Sequence, residues 1–250
     1  MVIGLLAGAM SGMFGVGGAT LIVPLLLMWV NMPQRLAAGT SAASILPTAI
    51  AGSISYTVAG HINWIAAALL AVGIIVGAQV GAWLLQKLKV STLQLIFMVF
   101  LAAVVVSLWL VVPSRDAAID ITPWLAFFLV FTGFITGIMS GLLGVGGGIV
   151  AVPALLFFFG ASDLEAKGTS LAMMIPGSIS ATLANLKRHN VDLKAAAIIG
   201  LASAAMVPFS VYFANLINPL TANILFSLYL VTVIWQMFGR WRKSRESEKA

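Results

Sequence analysis

Two glycine clusters are the part of this sequence best suited to bind a ligand through backbone groups. The clusters consist of Gly15, Gly17 and Gly18, and of Gly144, Gly146, Gly147 and Gly148. Because glycine adopts backbone conformations closed to other residues, each Gly-Val-Gly-Gly stretch can form a turn that exposes several N–H groups. A helix that begins just after the turn, near Thr20 or near Ile149, points its positive dipole end at the same place. The pattern predicts an anion site built from both clusters.

Two Gly-Thr-Ser triplets add hydroxyl groups that could serve the same site. Each triplet lies near the start of the apolar run that follows a glycine cluster, at residues 39–41 and 168–170. A Ser or Thr hydroxyl there either caps a helix N-terminus or donates to a bound anion, and the sequence leaves both roles open. An asparagine farther along the second run is a further donor. The candidate side-chain donors are Thr40, Ser41, Thr169, Ser170 and Asn185.

The glycine clusters and the triplets belong to two copies of one unit. Residues 4–18 and 133–147 are identical at nine of fifteen positions, at an offset of 129 residues. The same offset places Pro47 on Pro176, in the middle of the run that each triplet starts. A proline there removes a backbone donor and kinks a helix, so both prolines are candidate hinges. Duplicated membrane units are typical of transporters.

The composition indicates a membrane protein. Hydrophobic residues make up 61% of the chain, charged residues make up 8%, and the mean hydropathy is +1.10, whereas a soluble domain carries roughly 25% charged residues. The net charge of +6 comes from short loops and a basic tail, which argues against nucleic-acid binding. The sequence contains no cysteine. Its start lacks a charged segment and a cleavage site, so we predict no removable signal peptide.

Eight apolar runs are separated by short polar loops. A helix needs about 20 residues to cross the hydrocarbon layer, so six of the runs suit single crossings. The two runs that contain the glycine clusters are too long for one helix, and we expect each to fold as a hairpin. The runs are residues 3–31, 37–58, 64–86, 92–112, 122–160, 166–186, 194–215 and 220–238.

The lysines and arginines predict the orientation of these runs. If each glycine-broken run returns to the side from which it entered, eleven of the thirteen positive residues collect on one side, as cytoplasmic residues do. Each unit then has a hairpin and three crossings, an odd number that inverts the second copy. The expected fold is an all-α polytopic membrane protein of two inverted repeats, with both termini cytoplasmic. The expected divisions are a first repeat at 1–112, a linker at 113–121, a second repeat at 122–239 and a tail at 240–250.

The acidic residues and the histidines do not suggest catalysis or a proton relay. All seven acidic residues fall in predicted loops or in the tail, so we expect no carboxylate deep in a span. His61 and His189 lie at loop edges. The sequence has no phosphate-binding P-loop, no Ser/His/Asp set and no metal-ligand spacing. We expect no enzyme activity, no cofactor and no metal, with a small anion and the lipid bilayer as partners.

The duplicated glycine stretch resembles the sulfite exporter TauE/SafE family over nearly the whole chain. The resemblance rests on G-x-x-S-G-x-x-G-x-G-G/A in both copies, a proline six residues after the last paired glycine, and then the Gly-Thr-Ser triplet. It implies transport of small sulfur-containing anions, such as sulfite or organosulfonates, across the cytoplasmic membrane of a prokaryote. Ala19 departs from the pattern, because the second copy has Gly148 there, and the first hairpin has a short first leg. The glycines that match the family motif are Gly12, Gly15, Gly17, Gly18, Gly141, Gly144, Gly146, Gly147 and Gly148.

We therefore expect a secondary transporter that exports such anions through a site at the middle of the membrane, between the inverted repeats. Export needs no coupling machinery, because the negative interior of a cell drives an anion outward by about 2.3 kcal/mol per charge per 100 mV. Two alternatives stay open at this point. One is a passive anion channel or permease, and the other is a membrane scaffold subunit that transports nothing.

Overall fold

Most of the residues that the structure describes are helical. The computed structural model describes residues 1–110 and 122–247, and these ranges contain no strand. The predicted linker at 113–121 lies outside the described residues, and so do the last two residues of the predicted run 92–112. The helices are α1 (Val2–Phe14), α2 (Ala19–Trp29), α3 (Gln34–Val58), α4 (Trp64–Lys87), α5 (Val90–Leu110), α6 (Pro123–Leu143), α7 (Gly148–Phe158), α8 (Asp163–Leu186), α9 (Leu193–Leu216) and α10 (Pro219–Ser247).

Left-handed glycines divide each of the two long runs into two helices. Gly15, with φ 69°, ends α1, and Gly18, with φ 68°, precedes α2. Gly144, with φ 70°, and Gly147, with φ 89°, separate α6 from α7 in the same way. Only glycine adopts this conformation without a steric cost, which is why the break falls on these residues. The second helix folds back on the first. A Cβ atom added to Gly18 would clash with the carbonyl of Ala7, which shows that Gly18 lies directly against α1.

The two hairpins differ in their first legs, and the chain ends in a longer helix than the sequence predicts. Helix α1 has 13 residues and α6 has 21, whereas α2 and α7 have 11 each. Helix α10 runs on to Ser247, beyond the predicted end of the last run at residue 238. Residues 240–247 of the basic tail are therefore a continuation of α10. Arginine, lysine and glutamate are good helix formers, which accounts for the extension.

Four described helices are long and apolar enough to cross a bilayer by themselves. They are α3, α4, α6 and α9. Helix α8 is also 24 residues long, but three charged residues near its start, Asp163, Glu165 and Lys167, add to its serine, threonine and asparagine side chains and make it more polar. Large apolar side chains such as Trp64, Leu201 and Trp235 are exposed on the outside of the bundle. Lipid suits these side chains better than water does, so the chain is a multi-pass membrane protein.

Stripes of small residues let two equivalent helix pairs approach closely. In the first pair, Gly4 and Gly8 of α1 lie against the carbonyls of Ile199 and Ser203 of α9. In the second pair, α4 and α6 approach through glycines on both helices. Residue numbers rise together along both pairs, so the paired helices are parallel, and the spacing of four is that of small-residue packing in lipid. The glycines between α4 and α6 are Gly73, Gly77, Gly81, Gly133, Gly137 and Gly141.

Helices α3 and α8, which are equivalent in the two copies, pack against each other at the centre of the bundle. A Cβ on Gly39, near the start of α3, would meet the carbonyl of Asn190, just after the end of α8. A Cβ on Gly168, near the start of α8, would meet the carbonyl of His61, just after the end of α3. The two helices are therefore antiparallel. The residues of the two contacts are related by the offset of 129, so each contact that the first copy makes with the second is matched by an equivalent contact of the second copy with the first.

Candidate anion site

The two glycine turns present backbone donors that bond to none of the described residues. Gly17, with φ 72°, and Gly146, with φ 77°, lie in the middle of the turns. Among the described residues, the N–H groups of these two glycines make no hydrogen bond. Helices α2 and α7 start directly after the turns, and the first N–H groups of any helix have no partner within it. Each turn thus combines free backbone donors with the positive end of a helix, an arrangement that binds anions.

The triplet serines tie each turn to the central helix of the other copy. Ser41 Oγ donates to the Gly144 carbonyl at 2.8 Å, and Ser170 Oγ donates to the Gly15 carbonyl at 2.7 Å. These two bonds are equivalent at the offset of 129. The structure therefore brings both predicted serines to the glycine turns. Ser170 Oγ also lies 2.8 Å from the Lys167 carbonyl of its own helix, so its single proton is shared between two acceptors. In this conformation the two serines hold the turns in place.

The triplet threonines anchor the loops between the long helices. Thr40 Oγ1 accepts a hydrogen bond from the Asp192 N–H at 2.9 Å, and Thr169 Oγ1 accepts one from the Asn63 N–H at 3.0 Å. Asn63 and Asp192 are in turn the N-caps of α4 and α9. The capping role that the sequence left open for the triplets does not occur. The reason is that α3 and α8 begin five or more residues earlier, so the triplets lie inside these helices.

Asn185 is buried on α8, at the position equivalent to Tyr56 on α3. The Tyr56 hydroxyl donates to the Gly12 carbonyl at 2.7 Å, just before the first turn. Asn185 is shorter, and its Nδ2 donates to the Ala181 carbonyl of its own helix at 2.9 Å. Its Oδ1 has no partner among the described residues. The predicted donor group of Asn185 is therefore used within α8.

Ser11 and Ser140 are candidate site residues in addition to those predicted from the sequence. Both are fully buried, and neither hydroxyl has a hydrogen-bond partner among the described residues. Their own carbonyls accept the N–H groups of Gly15 and Gly144 at 2.8 Å, so each serine lies one helical turn before a glycine turn. A buried hydroxyl without a partner costs about 1–3 kcal/mol, and the chain bears this cost twice at equivalent positions. The sequence feature that could have identified these two residues is the serine that both copies of the glycine motif contain.

Two apolar side chains fill the space between the turns. Ile45 of α3 and Met174 of α8 are fully buried and stand at equivalent positions. A Cβ on Gly17 would lie 2.9 Å from the Met174 sulfur and 3.4 Å from Ile45 Cγ2. A Cβ on Gly146 would meet Ile45 Cδ1. Ile45 and Met174, the central plug, therefore close the space between the turns in this conformation.

The predicted hinge prolines lie beside the central plug. Pro47 is inside α3 and Pro176 is inside α8, each two residues after a plug residue. Each proline removes one hydrogen bond from the middle of its helix and crowds the preceding turn. The helices continue through both positions, so any bending there changes where the plug residues point.

A buried ion pair lies against the first turn, where the sequence analysis expected no charge. Lys167 Nζ lies 2.8 Å from Asp163 Oδ2, and both residues are only 3% exposed. A Cβ on Gly15 would lie 2.6 Å from the Lys167 Cα, so the lysine backbone abuts the turn. The expectation that acidic residues lie only in loops is wrong for Asp163 and for Glu165, which both lie in the first turn of α8. The predicted run starts at residue 166, but Ser162 caps a helix that already begins at Asp163 and packs into the bundle.

Comparison with known proteins identifies the family. The sulfite exporter TauE/SafE family profile matches residues 1–140 and, a second time, residues 129–250. The chain belongs to the sulfite exporter TauE/SafE family. No solved structure matches it.

Curated relatives of this TauE/SafE chain have transporter names. A probable membrane transporter protein of Xylella fastidiosa (strain 9a5c) is 30% identical over 191 residues, which are 74% of this chain and 72% of that protein. The probable membrane transporter protein YunE of Bacillus subtilis (strain 168) is 32% identical over 99 residues, 40% of this chain and 36% of YunE. Sulfite exporter TauE/SafE family protein 2 of Arabidopsis thaliana is 32% identical over 120 residues, 48% of this chain and 26% of that protein. The matches to YunE and to the Arabidopsis protein thus span about a third and a quarter of those proteins. The chain is a membrane transporter of the TauE/SafE type.

The two copies of the TauE/SafE motif differ at one glycine for a steric reason. A Cβ on Gly148 would meet Met174 Cε and the Gly15 carbonyl. At the position equivalent to Met174 the first copy has Ile45, whose side chain is shorter, and it has the fully buried Ala19 in place of the glycine. The two turns of this TauE/SafE chain are therefore built alike but offer unequal space.

Proposed function

We propose that this TauE/SafE protein exports small sulfur-containing oxyanions, of the sulfite or organosulfonate type, across the cytoplasmic membrane of a prokaryotic cell. The family assignment supports a transporter, and the family's name supports the class of substrate. The proposed site lies between the two glycine turns, near the middle of the membrane.

The observation that carries this proposal is the contact between two turns that offer hydrogen-bond donors. Gly148, the first residue of α7, touches the Gly15 carbonyl across the boundary between the copies. The turns that carry the free N–H groups lead directly into α2 and α7, so the N-terminal ends of these helices are near this contact. The unpartnered hydroxyls of Ser11 and Ser140 lie one helical turn away. These groups donate hydrogen bonds, which favours an anion over a cation as the ligand.

We also propose that the two copies lie inverted in the membrane. Their equivalent central helices α3 and α8 run antiparallel, which supports an inverted arrangement. Arg35 donates to the Gln86 carbonyl at 3.0 Å, so two of the positively charged loops share one end of the bundle. With that end in the cytoplasm, as the excess of positive residues favours, both chain termini are cytoplasmic. Transporters with inverted repeats hold their substrate where the repeats meet.

The closed space between the turns favours a carrier over a permanently open channel. An anion can pass only if the central plug moves, because both plug side chains are fully buried between the turns. Movement of α3 or α8 is eased at Pro47 and Pro176, where the helix lacks a hydrogen bond. In the proposed mechanism, bending of α3 and bending of α8 expose the site to opposite sides of the membrane in turn.

The direction of transport follows from the membrane potential. An anion that leaves a cell with a negative interior releases about 2.3 kcal/mol per charge per 100 mV. Outward flux of a sulfur oxyanion therefore proceeds without a second coupled ion.

Flux into and out of proteoliposomes tests the proposal. Sulfite, sulfoacetate and thiosulfate labelled with sulfur-35 should move with saturable kinetics and show counterflow. Absence of flux for all three anions would overturn the proposal, and flux that never saturates would replace the carrier with a channel.

A pair of glycine variants tests whether the turns form the pathway. Gly146 and Gly60 both have φ 77°, so alanine meets the same backbone strain at either position. A Cβ on Gly146 would meet Ile45, whereas nothing lies within 4 Å of a Cβ on Gly60. Gly146→Ala should lower flux about tenfold or more, as expected when overpacking costs 1–3 kcal/mol, and Gly60→Ala should not. Equal flux in the two variants would remove the turns from the mechanism.

A further inference from the structure

The buried ion pair makes the two glycine turns chemically unequal. At the offset of 129, the positions of Lys167 and Asp163 are taken by Ala38 and Gln34 in α3. In both copies, a Cβ on the glycine that starts the turn would meet the backbone of this residue, Lys167 in one case and Ala38 in the other. Both turns also have the same serine tie. The protein therefore builds one turn with buried charges and an equivalent turn without them.

This comparison within the chain indicates that the ion pair is not needed to hold the turn. Two buried charges lose their hydration, and apolar replacement of such a pair is often neutral or stabilising by about 1–4 kcal/mol. The second turn has an uncharged solution, with the buried Gln34 and Ala38 at the two positions, and Ala38 abuts Gly144 as Lys167 abuts Gly15. Ionisable residues within membrane-spanning helices usually serve a function for the same energetic reason. A function at the site accounts for the charges in the first copy.

We propose that Lys167 binds the transported anion, which makes the first turn the stronger half of the site. This inference rests on the proposed function and names its charged residue. The lysine ammonium has three N–H donors, and Asp163 accepts one of them. Among the described residues the ammonium has no second acceptor. In the proposed complex, its two remaining donors bind an oxyanion that the Gly15–Gly18 turn also holds. The ligand class is a small anion with a sulfite or sulfonate group, whose oxygens accept several hydrogen bonds at once.

Asp163 has a second part in this proposal, because its charge opposes that of the ligand. The carboxylate holds the Lys167 ammonium beside the turn and at the same time repels the bound anion. A transport site must bind its ion strongly enough to take it up and weakly enough to release it. Without the negative charge, the anion should bind more tightly and leave more slowly.

Neutral variants of the pair separate binding from folding. In Lys167→Met/Asp163→Asn both charges are removed and the side-chain volumes are nearly kept, so the purified protein should unfold at a temperature close to that of the native chain. Its affinity for sulfite and sulfoacetate, measured by titration calorimetry, should fall about 10- to 100-fold, the range expected for a lost hydrogen bond to a charged group. Asp163→Asn alone should bind both anions several-fold more tightly and transport them more slowly. Lys187→Met removes one positive charge from an exposed site and should match the native protein in both measurements.

The outcomes distinguish this inference from the proposed function. If the double variant binds and transports like the native protein, Lys167 is a structural residue, and the proposed function stands without it. If the double variant does not fold, Asp163→Asn decides, since weaker anion binding in that variant overturns the inference. If the native protein neither binds nor transports the anions, the proposed function fails and this inference fails with it.

Discussion

Removal of one hydroxyl that joins a glycine turn to the opposite copy should destabilise the whole protein. Ser41→Ala deletes the donor that lies 2.8 Å from the Gly144 carbonyl in the buried centre. This carbonyl belongs to a left-handed turn residue, and no other hydrogen bond among the described residues reaches it. A hydrogen bond contributes about 0.5–1.5 kcal/mol net, but a buried carbonyl left without a donor costs about 1–3 kcal/mol. We therefore expect the free energy of unfolding to fall by about 1–3 kcal/mol.

Ser55→Ala is the matched control for this variant. Ser55 Oγ also donates at 2.8 Å, but to the Ala51 carbonyl in its own helix, where the helical ladder supplies a donor without it. Thermal unfolding of the purified protein compares the two, at about 2–4 °C per kcal/mol for a chain of this size. Ser41→Ala should lower the midpoint by about 2–12 °C, and Ser55→Ala should leave it within about 2 °C. Equal shifts in the two variants would show that the tie between the copies has no special role.

Two further predictions concern the plug and the orientation of the copies. Ile45→Ala shortens the central plug and should allow sulfite to leak through the protein without counterflow. Ile54→Ala, on the exposed face of the same helix, is the control and should cause no leak. Unchanged sulfite permeability in Ile45→Ala would contradict the idea that Ile45 closes the pathway. Lys89 and Asn218 are exposed and stand at equivalent positions in the two copies. A single cysteine at each position should react with a membrane-impermeant thiol reagent from opposite sides of the membrane. Reaction of both cysteines from the same side would refute the inverted arrangement. The native chain has no cysteine, so both labelling variants need one substitution.

Features that depend on local sequence were predictable, and the glycine turns are the best example. Gly15 and Gly144 end their helices because left-handed backbone is inexpensive only for glycine, and this rule needs no knowledge of neighbours. The start of the following helices was predicted to within a residue for the same reason.

Features that depend on contacts between the copies could not be read from the sequence. The Ser41 hydroxyl bonds to a carbonyl 103 residues away, and only the exchange of contacts between the copies explains why this partner is chosen. The burial of Lys167 was missed because charged residues next to one another in the sequence usually mark a loop. Here Asp163 lies one helical turn before the lysine and neutralises it, which allows both to enter the bundle.

The two copies differ in the residues that pack against the glycine turns. The serine ties and the threonine anchors are the same in both copies. The residues that pack against the turns differ, because the second copy has Lys167 and Met174 where the first copy has Ala38 and Ile45. If these residues were identical, exchanging the roles of the two copies would give a conformation of equal free energy, and both would be equally populated. Differences of a few kcal/mol at the turns are enough to make one conformation dominant, and a ligand that prefers the other reverses the balance. In the proposed mechanism, a duplicated scaffold with unequal turns supplies both properties that a carrier needs, namely two conformations within a few kcal/mol of each other and a substrate that selects between them.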